Sequence, residues 1–506
     1  MRQNHMLILK FNPKHGIAQC FDDRAIHGDS FFFTSHFSSS VFGNPRFFSI
    51  FQKTRARTYN QFSRHAQHPF LGTYKPEALR WKRELSEATG IPEKAIWYHE
   101  LQVHAAPESD ALAGEYMDNL IARSIETVRE MMPRAEEFDC YASEIDMGTD
   151  YTFNREQYVE GLGGVTVWTG MSFDEQGRPY SQNPKIMLLR GYDPKLPVFD
   201  KPIYFDNPND QMAYFFRFVN RKGETIGTVS RFAAHPDVAV LFELRFNPNR
   251  ANEYHYCFDW PGFMTEENES VYGGVSMYLN GPCADLSTKK SYDGMDDYAA
   301  SEGDCRRLGK LIGDRIRMGY EENHKKLDLS GSFKADTFSF KLPMKDDMPR
   351  CYKDLETWNE RVERAQKELD DAIAANLPAP AVKHYIDERW RASQIYHLVH
   401  EKSVFTEEEL ASRMMGVEVT ALSFGGYLFV GVPGESLVDM TYWLRSRFTG
   451  TKTIPVDQVN GYFNYMATPR SLTLGGYTYW SSWVTRESIP TLKKELAPKL
   501  DEFLGK

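Results

Sequence analysis

The stretch from Thr228 to Phe242, TVSRFAAHPDVAVLF, constrains the chain most: an apolar run climbs to Ala234, stops at His235-Pro236-Asp237, and resumes. Proline has no N–H to give to a sheet ladder and biases the residue before it toward an extended conformation. His235 is therefore predicted at a strand tip rather than inside a helix. A histidine placed there faces whatever the fold encloses. Two readings stand side by side: a core or loop histidine whose ring is satisfied by a backbone carbonyl, or a functional one. The choice depends on which other residues can converge on it.

From Lys75, KPEALRWKRELSEATGIPEK has a proline near its start, apolar residues at helical spacing and a Gly-Ile-Pro stop, which predicts a helix feeding a strand, AIWYHELQV. That strand ends at His104-Ala-Ala-Pro107, and ESDALAGEYMDNLIARSIETVREMM then reads as a long amphipathic helix. Between Cys140 and Gly170 the chain is irregular and contains Asn154-Arg155, while 185–193 and 212–219 look strand-like and RKGE at 221–224 is a turn. SVYGGVSMYLNG is a further strand, ending in Gly281-Pro-Cys-Ala-Asp285-Leu-Ser287 before the helix GDCRRLGKLIGDRIRMGYEEN. Residues 353–402 form two helical segments split by Pro-Ala-Pro, a hairpin with core-facing Trp, Tyr and Leu stripes. VEVTALSFGGYLFVGV is a β-hairpin ending at Pro433-Gly434-Glu435-Ser436; SLVDMTYWLRSRF turns helical, an aromatic-rich loop region follows, and IPTLKKELAPKLDEFLG closes as a helix. Strands and helices in alternation, with polar residues at strand carboxyl ends, predict a mixed, layered α/β fold of α/β/α type with an inserted helical hairpin and a site along one sheet edge.

Residues 1–68 read differently. They are crowded with Phe, Ser, Arg and His, without sustained helical or strand periodicity, and six histidines fall here (5, 15, 27, 36, 65 and 68). A metal-binding tail and a solvated, partly ordered segment are the two readings. A domain boundary is expected there, with residues 69–506 as one unit that includes the 353–402 hairpin.

Several function classes are excluded. At 506 residues the chain can bury a large core, and no stretch approaches the roughly 18 apolar residues of a spanning helix. A net charge of −10 without long single-sign runs argues against nucleic acid as the partner. Six scattered cysteines with no CxxC pair suggest reduced thiols rather than a zinc knuckle or disulfide framework. MRQNHMLILKFNPKHG has no secretory pattern, so a cytoplasmic location is expected unless the N-terminus is misassigned. Nothing marks an oligomeric state.

Four strand ends or adjacent loops carry metal-capable side chains: His104, His235, Glu435 and Tyr465. Two imidazoles, a carboxylate and a phenolate are a plausible zinc set, although no HExxH-type register ties them together. Each also has an ordinary reading. Glu435 suits a first-turn glutamate stabilising a helix N-terminus, Tyr465 suits packing, Ser287 an N-cap or turn, and Arg155 a plain ion pair.

The blocks FAAHP (232–236), LNGPCADLS (279–287), VPGES (432–436), NGYFNY (460–465) and GGY (475–477), in that order, resemble the neutral/alkaline non-lysosomal ceramidase family and its zinc amidase domain. The match covers roughly residues 75 to 505. It implies zinc as cofactor, with His235, Glu435 and Tyr465 as ligands. It also implies Ser287 at the reacting amide, Arg155 in the active site and an N-acyl lipid as substrate class. Three departures stand out. The family's first ligand lies in a Thr-His-Thr-His-Ser-Gly-Pro block. Here the sequence is Leu-Gln102-Val-His104-Ala-Ala-Pro, so Gln102 fills the ligand position and His104 the substrate-facing one. Either His104 moves in, His99 substitutes, or metal affinity is reduced. The family's Gly-Asp-x-Ser-Pro loop has Ala284 and Thr288 in place of its Gly and Pro. The opening Asp-Ile-Thr-Pro segment is not visible, and the immunoglobulin-like C-terminal domain of longer members is absent from the chain as given. The resemblance implies a zinc-dependent amidohydrolase. The alternatives are a catalytically altered ceramidase-like binding protein, or an esterase or lactonase on the same metal.

Overall fold

The computed structural model describes residues 3–10, 28–38, 47–54, 73–104, 115–159, 163–166, 171–173, 179–181, 203–204, 207–238, 258–288, 302–331, 333–352, 355–400 and 404–506. Two sheets dominate. In the larger, the strands run in the order Val275–Asn280, Thr225–Phe232, Met212–Asn220, Glu136–Asp146, Gln3–Lys10, Gly28–Ser38, Phe47–Thr54, Ile96–His99. The smaller runs Lys334–Pro343, Met414–Phe424, Tyr427–Gly431, Lys452–Val456.

The strand Met212–Asn220 shows why the sheets stack. Side chains on a strand alternate between faces, and MAYFFRFVN is apolar on both. Phe215 lies 4.8 Å from Tyr320 and 5.5 Å from Tyr272, ring centre to ring centre, and these two tyrosines belong to the helices Glu302–Asn323 and Asp259–Tyr272. Its neighbour Phe216 points the other way, 5.0 Å from Tyr427, 5.4 Å from Phe429 and 5.9 Å from Phe424 of the smaller sheet. The outer face of the smaller sheet is covered by the helix Ser488–Leu504, whose Leu492, Leu496 and Leu500 are buried with Phe340, Val417 and Val419. The result is a mixed α/β fold with helices on the outside of two facing sheets.

Local signals set several boundaries. Lys75–Thr89 begins with a proline in its first turn and ends at Gly90, whose φ of 74° supplies the left-handed cap. The predicted β-hairpin is present, Met414–Phe424 paired antiparallel with Tyr427–Gly431 around Gly425-Gly426. The helices Leu355–Ala374 and Ala379–His400 occupy the predicted helical hairpin, and Arg389 Nε donates to Gln366 Oε1 between them at 2.9 Å.

Other elements differ from the sequence reading. Glu136–Asp146 is one long central strand where irregular chain was expected beyond Cys140. Its polar residues alternate with buried ones, and its pairing with Met212–Asn220 is 66 residues or more away in sequence. The AIWYHELQV strand stops at His99, with Leu101–Val103 running on outside the ladder. Within residues 1–68, three strands join the large sheet through Glu136–Asp146 on one side and Ile96–His99 on the other, a non-local pairing that local periodicity does not reveal. The strand predicted at 185–193, the resumption at 239–242 and the start of the helix predicted from 108 lie outside the described residues. Among the described residues no helix is long and apolar enough to cross a membrane, and Cys140 and Cys283 are buried free thiols.

Candidate functional site

Thr225–Phe232 and Val275–Asn280 are parallel neighbours, with Phe232 opposite Asn280, so the loops leaving their carboxyl ends emerge side by side. That is where ligands bind in open α/β sheets. The first loop carries His235 and Asp237, and the second carries Cys283, Asp285 and Ser287. They are stitched together by His235 N–H donating to the Leu286 carbonyl at 3.0 Å.

Two short ladders bring in the rest. Leu286–Thr288 pairs antiparallel with Thr152–Asn154, and Arg155 N–H donates to the Asp285 carbonyl at 2.7 Å. Glu435–Ser436 pairs parallel with Tyr465–Met466, Glu435 opposite Tyr465. Gly434 makes that approach possible: its φ is +59°, and a Cβ there would lie 2.8 Å from the Asn464 carbonyl oxygen.

His235 is 1% exposed, and its Nδ1 lies 2.6 Å from the Cys283 carbonyl, which accepts the ring hydrogen. Nε2 is thereby the ring nitrogen that faces inward. It lies 2.8 Å from Arg155 Nη2 and 3.5 Å from Glu435 Oε2. Glu435 is oriented from behind by Tyr462, whose hydroxyl donates to Oε1 at 2.8 Å, while Oε2 is buried without a hydrogen-bond donor. Arg155 Nη2 also donates to Tyr465 OH at 2.7 Å and to the Ala284 carbonyl at 2.8 Å. A terminal guanidinium nitrogen has two hydrogens, so Nη2 cannot serve three acceptors at once. Arg155 Nη1 reaches Asp237 Oδ2 at 3.2 Å and Ser287 Oγ at 3.4 Å. The His104 ring sits 5.4 Å from the His235 ring, and its backbone N–H donates to the Pro236 carbonyl at 3.2 Å.

The structure thus brings His235, Glu435, Tyr465, Arg155, Ser287 and His104 together. Gln102 stands a step back, its Oε1 accepting from the Cys283 thiol at 3.4 Å. His99 ends its strand as a buried ring held neutral, its pKa driven down to about 3 by burial. Among the described residues no group of three or more His, Cys, Asp or Glu side chains is arranged around a metal position.

Some ordinary readings give way. Glu435 does not sit in a helix first turn; the helix begins at Val438, and its N–H is taken by Asp285 Oδ1 at 2.9 Å. Ser287 lies in a strand and caps no helix. Tyr465 does pack, 5.1 Å from Tyr477 edge to face, while its hydroxyl meets Arg155. The ion pair expected of Arg155 is with Asp237, which sequence reasoning missed although it stands two residues after His235. Tyr462 and Cys283 were missed too; both lie inside the blocks NGYFNY and LNGPCADLS.

The buried carboxyls diverge. Burial, and then Glu156, push Asp285 up to about 7, and burial with Glu435 nearby pushes Asp457 well above the carboxylate range. Glu435 is equally buried, yet it moves down, because His235, Tyr462 and Arg155 together outweigh the burial. Asp285 and Asp457 also accept backbone N–H groups, from Val438 at 2.9 Å and from Ser436 at 3.0 Å.

No protein-family model matches the chain, and no curated protein does. Solved structures do. The neutral ceramidase from Pseudomonas aeruginosa superposes on 98% of this chain and 73% of its own, with a TM-score of 0.59 and 11% identity. A ceramidase complexed with C2 covers 99% and 75%, with a TM-score of 0.58 and 10% identity. The chain has the ceramidase-family fold.

Proposed function

We propose that this protein is a zinc-dependent hydrolase of the amide bond of an N-acyl substrate, of the N-acyl lipid class, with His235, Glu435 and Tyr465 holding the metal. The observation that carries this reading is the pair of metal-capable atoms facing each other across 3.5 Å, Nε2 of His235 and Oε2 of Glu435. Each is turned inward by a partner on its far side, Cys283 and Tyr462. Two metal-capable atoms buried at that distance are placed to share one cation. Ligands about 2.0–2.2 Å from one tetrahedral zinc stand roughly 3.3–3.6 Å apart, so the spacing fits. The carbonyl that holds Nδ1 is also the usual outer partner of a metal-binding imidazole.

A bound zinc supplies Lewis-acid polarisation and a nucleophile competent at neutral pH. Arg155 then provides fixed positive charge for the oxyanion that develops on the acyl carbonyl, anchored by Asp237 and the Ala284 carbonyl. Ser287, in contact with Arg155, orients the amide, and His104 over the His235 ring faces the substrate. Burial of all these groups excludes water and strengthens each contact.

The test is zinc analysis together with hydrolysis of short-chain N-acyl amides. Stoichiometric zinc and amide cleavage are expected, both lost in His235→Ala. Protein that holds no zinc, or activity that His235→Ala leaves intact, overturns the reading. A second reading, a binding protein without metal, draws on the contacts of Arg155 Nη2 with His235 and Tyr465. It predicts N-acyl binding with neither zinc nor turnover.

A further inference from the structure

Gln102 has two unusual features. Its backbone φ is +59°, a region that residues with a Cβ seldom adopt unless the surroundings hold them there, and its side chain is buried. The amide's orientation can be followed donor by donor. Ala234 N–H donates to Asn280 Oδ1 at 3.4 Å, which turns the Asn280 Nδ2 group toward Cys283 Sγ at 3.2 Å. A sulfur that accepts on that side has its own hydrogen to give elsewhere, and it lies 3.4 Å from Gln102 Oε1. The oxygen of Gln102 is therefore engaged by the thiol. Its Nε2 is buried and has no hydrogen-bond acceptor among the described residues. Cys283 thus orients two residues at once, His235 through its carbonyl and Gln102 through its thiol.

A buried amide NH₂ without an acceptor is costly, and natural structures keep such groups where a ligand or water satisfies them. Its hydrogens suit a carbonyl oxygen and are useless to a cation. We propose that Gln102 is not a metal ligand but a substrate-binding residue, its Nε2 donating to the carbonyl oxygen of the N-acyl group, an assignment that rests on the amide-hydrolase reading above. The chemistry that occupies this position with a histidine in the resembling family is replaced by a donor for the acyl oxygen. A zinc held by His235, Glu435 and Tyr465 would then have three protein ligands, the number found in catalytic zinc sites.

The test measures two quantities in parallel: zinc affinity by competition with a chromophoric chelator, and binding of an inert short-chain N-alkyl amide of a fatty acid by titration calorimetry. In Gln102→Met, which removes the donor at similar length, zinc affinity stays within about twofold while amide binding weakens about tenfold. Gln102→Glu keeps the shape and an acceptor for the thiol but loses the donor, and amide binding falls in the same way; it decides the matter if the methionine variant does not fold. Zinc affinity lowered about tenfold or more in Gln102→Met makes Gln102 a ligand and overturns the proposal. Unchanged amide binding overturns it as well. If the wild-type protein neither holds zinc nor cleaves amides, the hydrolase reading fails by itself, and amide binding still decides Gln102: weaker in the variants supports the assignment, equal in all of them, including none in any, refutes it.

Discussion

Two buried arginines organise two parts of this molecule in opposite ways. Arg391, on the helix Ala379–His400, takes both oxygens of Asp347 at 2.8 and 2.9 Å and gives Nη1 to the carbonyls of Trp480 and Ser482. Its partners are two backbone carbonyls, one carboxylate held in a fork that matches the guanidinium, and the Met348 sulfur, 3.5 Å from Nη2. Nothing there is left for a ligand to take. Arg155 is as deeply buried, yet most of its partners are side chains with other chemistry open to them: His235, Tyr465 and Ser287. Its Nη2 has more acceptors than hydrogens. Saturation makes a structural joint, whereas competition for the same hydrogens makes a site that a cation or an oxyanion can enter.

The largest effect expected from this contrast is on stability at Arg391. Replacing it with leucine strands Asp347 and two carbonyls and is expected to cost about 3–5 kcal/mol of unfolding free energy, the range for breaking a buried pair. The folded fraction should keep its turnover per molecule. Denaturant unfolding beside active-site-titrated kinetics checks both. Next comes Arg155→Lys, which keeps a charge beside Asp237 but loses the fork. Turnover is expected to fall about a hundredfold, as for loss of an oxyanion donor, with a stability change well below that of Arg391→Leu. If the two variants exchange roles, Arg155 is the joint and the distinction collapses.

How much of this was visible in the sequence follows from how local each signal is. Pro236 places His235 beyond a strand end, because a missing N–H and a restricted neighbour act within one residue. Helix ends at Gly90 and the Gly425-Gly426 hairpin are equally local. The five ordered blocks brought Glu435, Tyr465 and Ser287 to the same site. Asp237, Tyr462 and Cys283 escaped, since their roles are to hold another side chain: Asp237 is paired with Arg155, which is 82 residues away in sequence. The central strand Glu136–Asp146 was hidden for a similar reason. Its sequence EEFDCYASEID is stabilised by the aromatic strand beside it rather than by its own pattern. The orientation of the Gln102 amide was not legible, because residue type alone does not say which end of an amide is already engaged.

The smallest effect isolates the chemistry of the Arg391 cluster. Lys345 Nζ donates to the Tyr479 carbonyl at 2.8 Å and lies over the Tyr479 ring. Burial first, and Arg391 second, push its pKa down to about 6 from 10.5. Between those values the folded protein holds the amine neutral while the unfolded chain holds it charged, so the unfolded state binds more protons. Stability attributable to Lys345 must then rise with pH across that window, with a slope of up to about 1.4 kcal/mol per pH unit for one proton. Unfolding free energies measured between about pH 6 and 9 should show this rise in the wild type and its loss in Lys345→Met, whose side chain carries no titrating proton. In Arg391→Leu the neighbouring cation is gone, the lysine pKa moves back up, and the window narrows from its lower end. A rise with pH that Lys345→Met leaves untouched would mean that the amine stays charged next to Arg391. The Arg391 cluster would then hold two cations against Asp347 and Glu388, and it could no longer be called the saturated member of the pair.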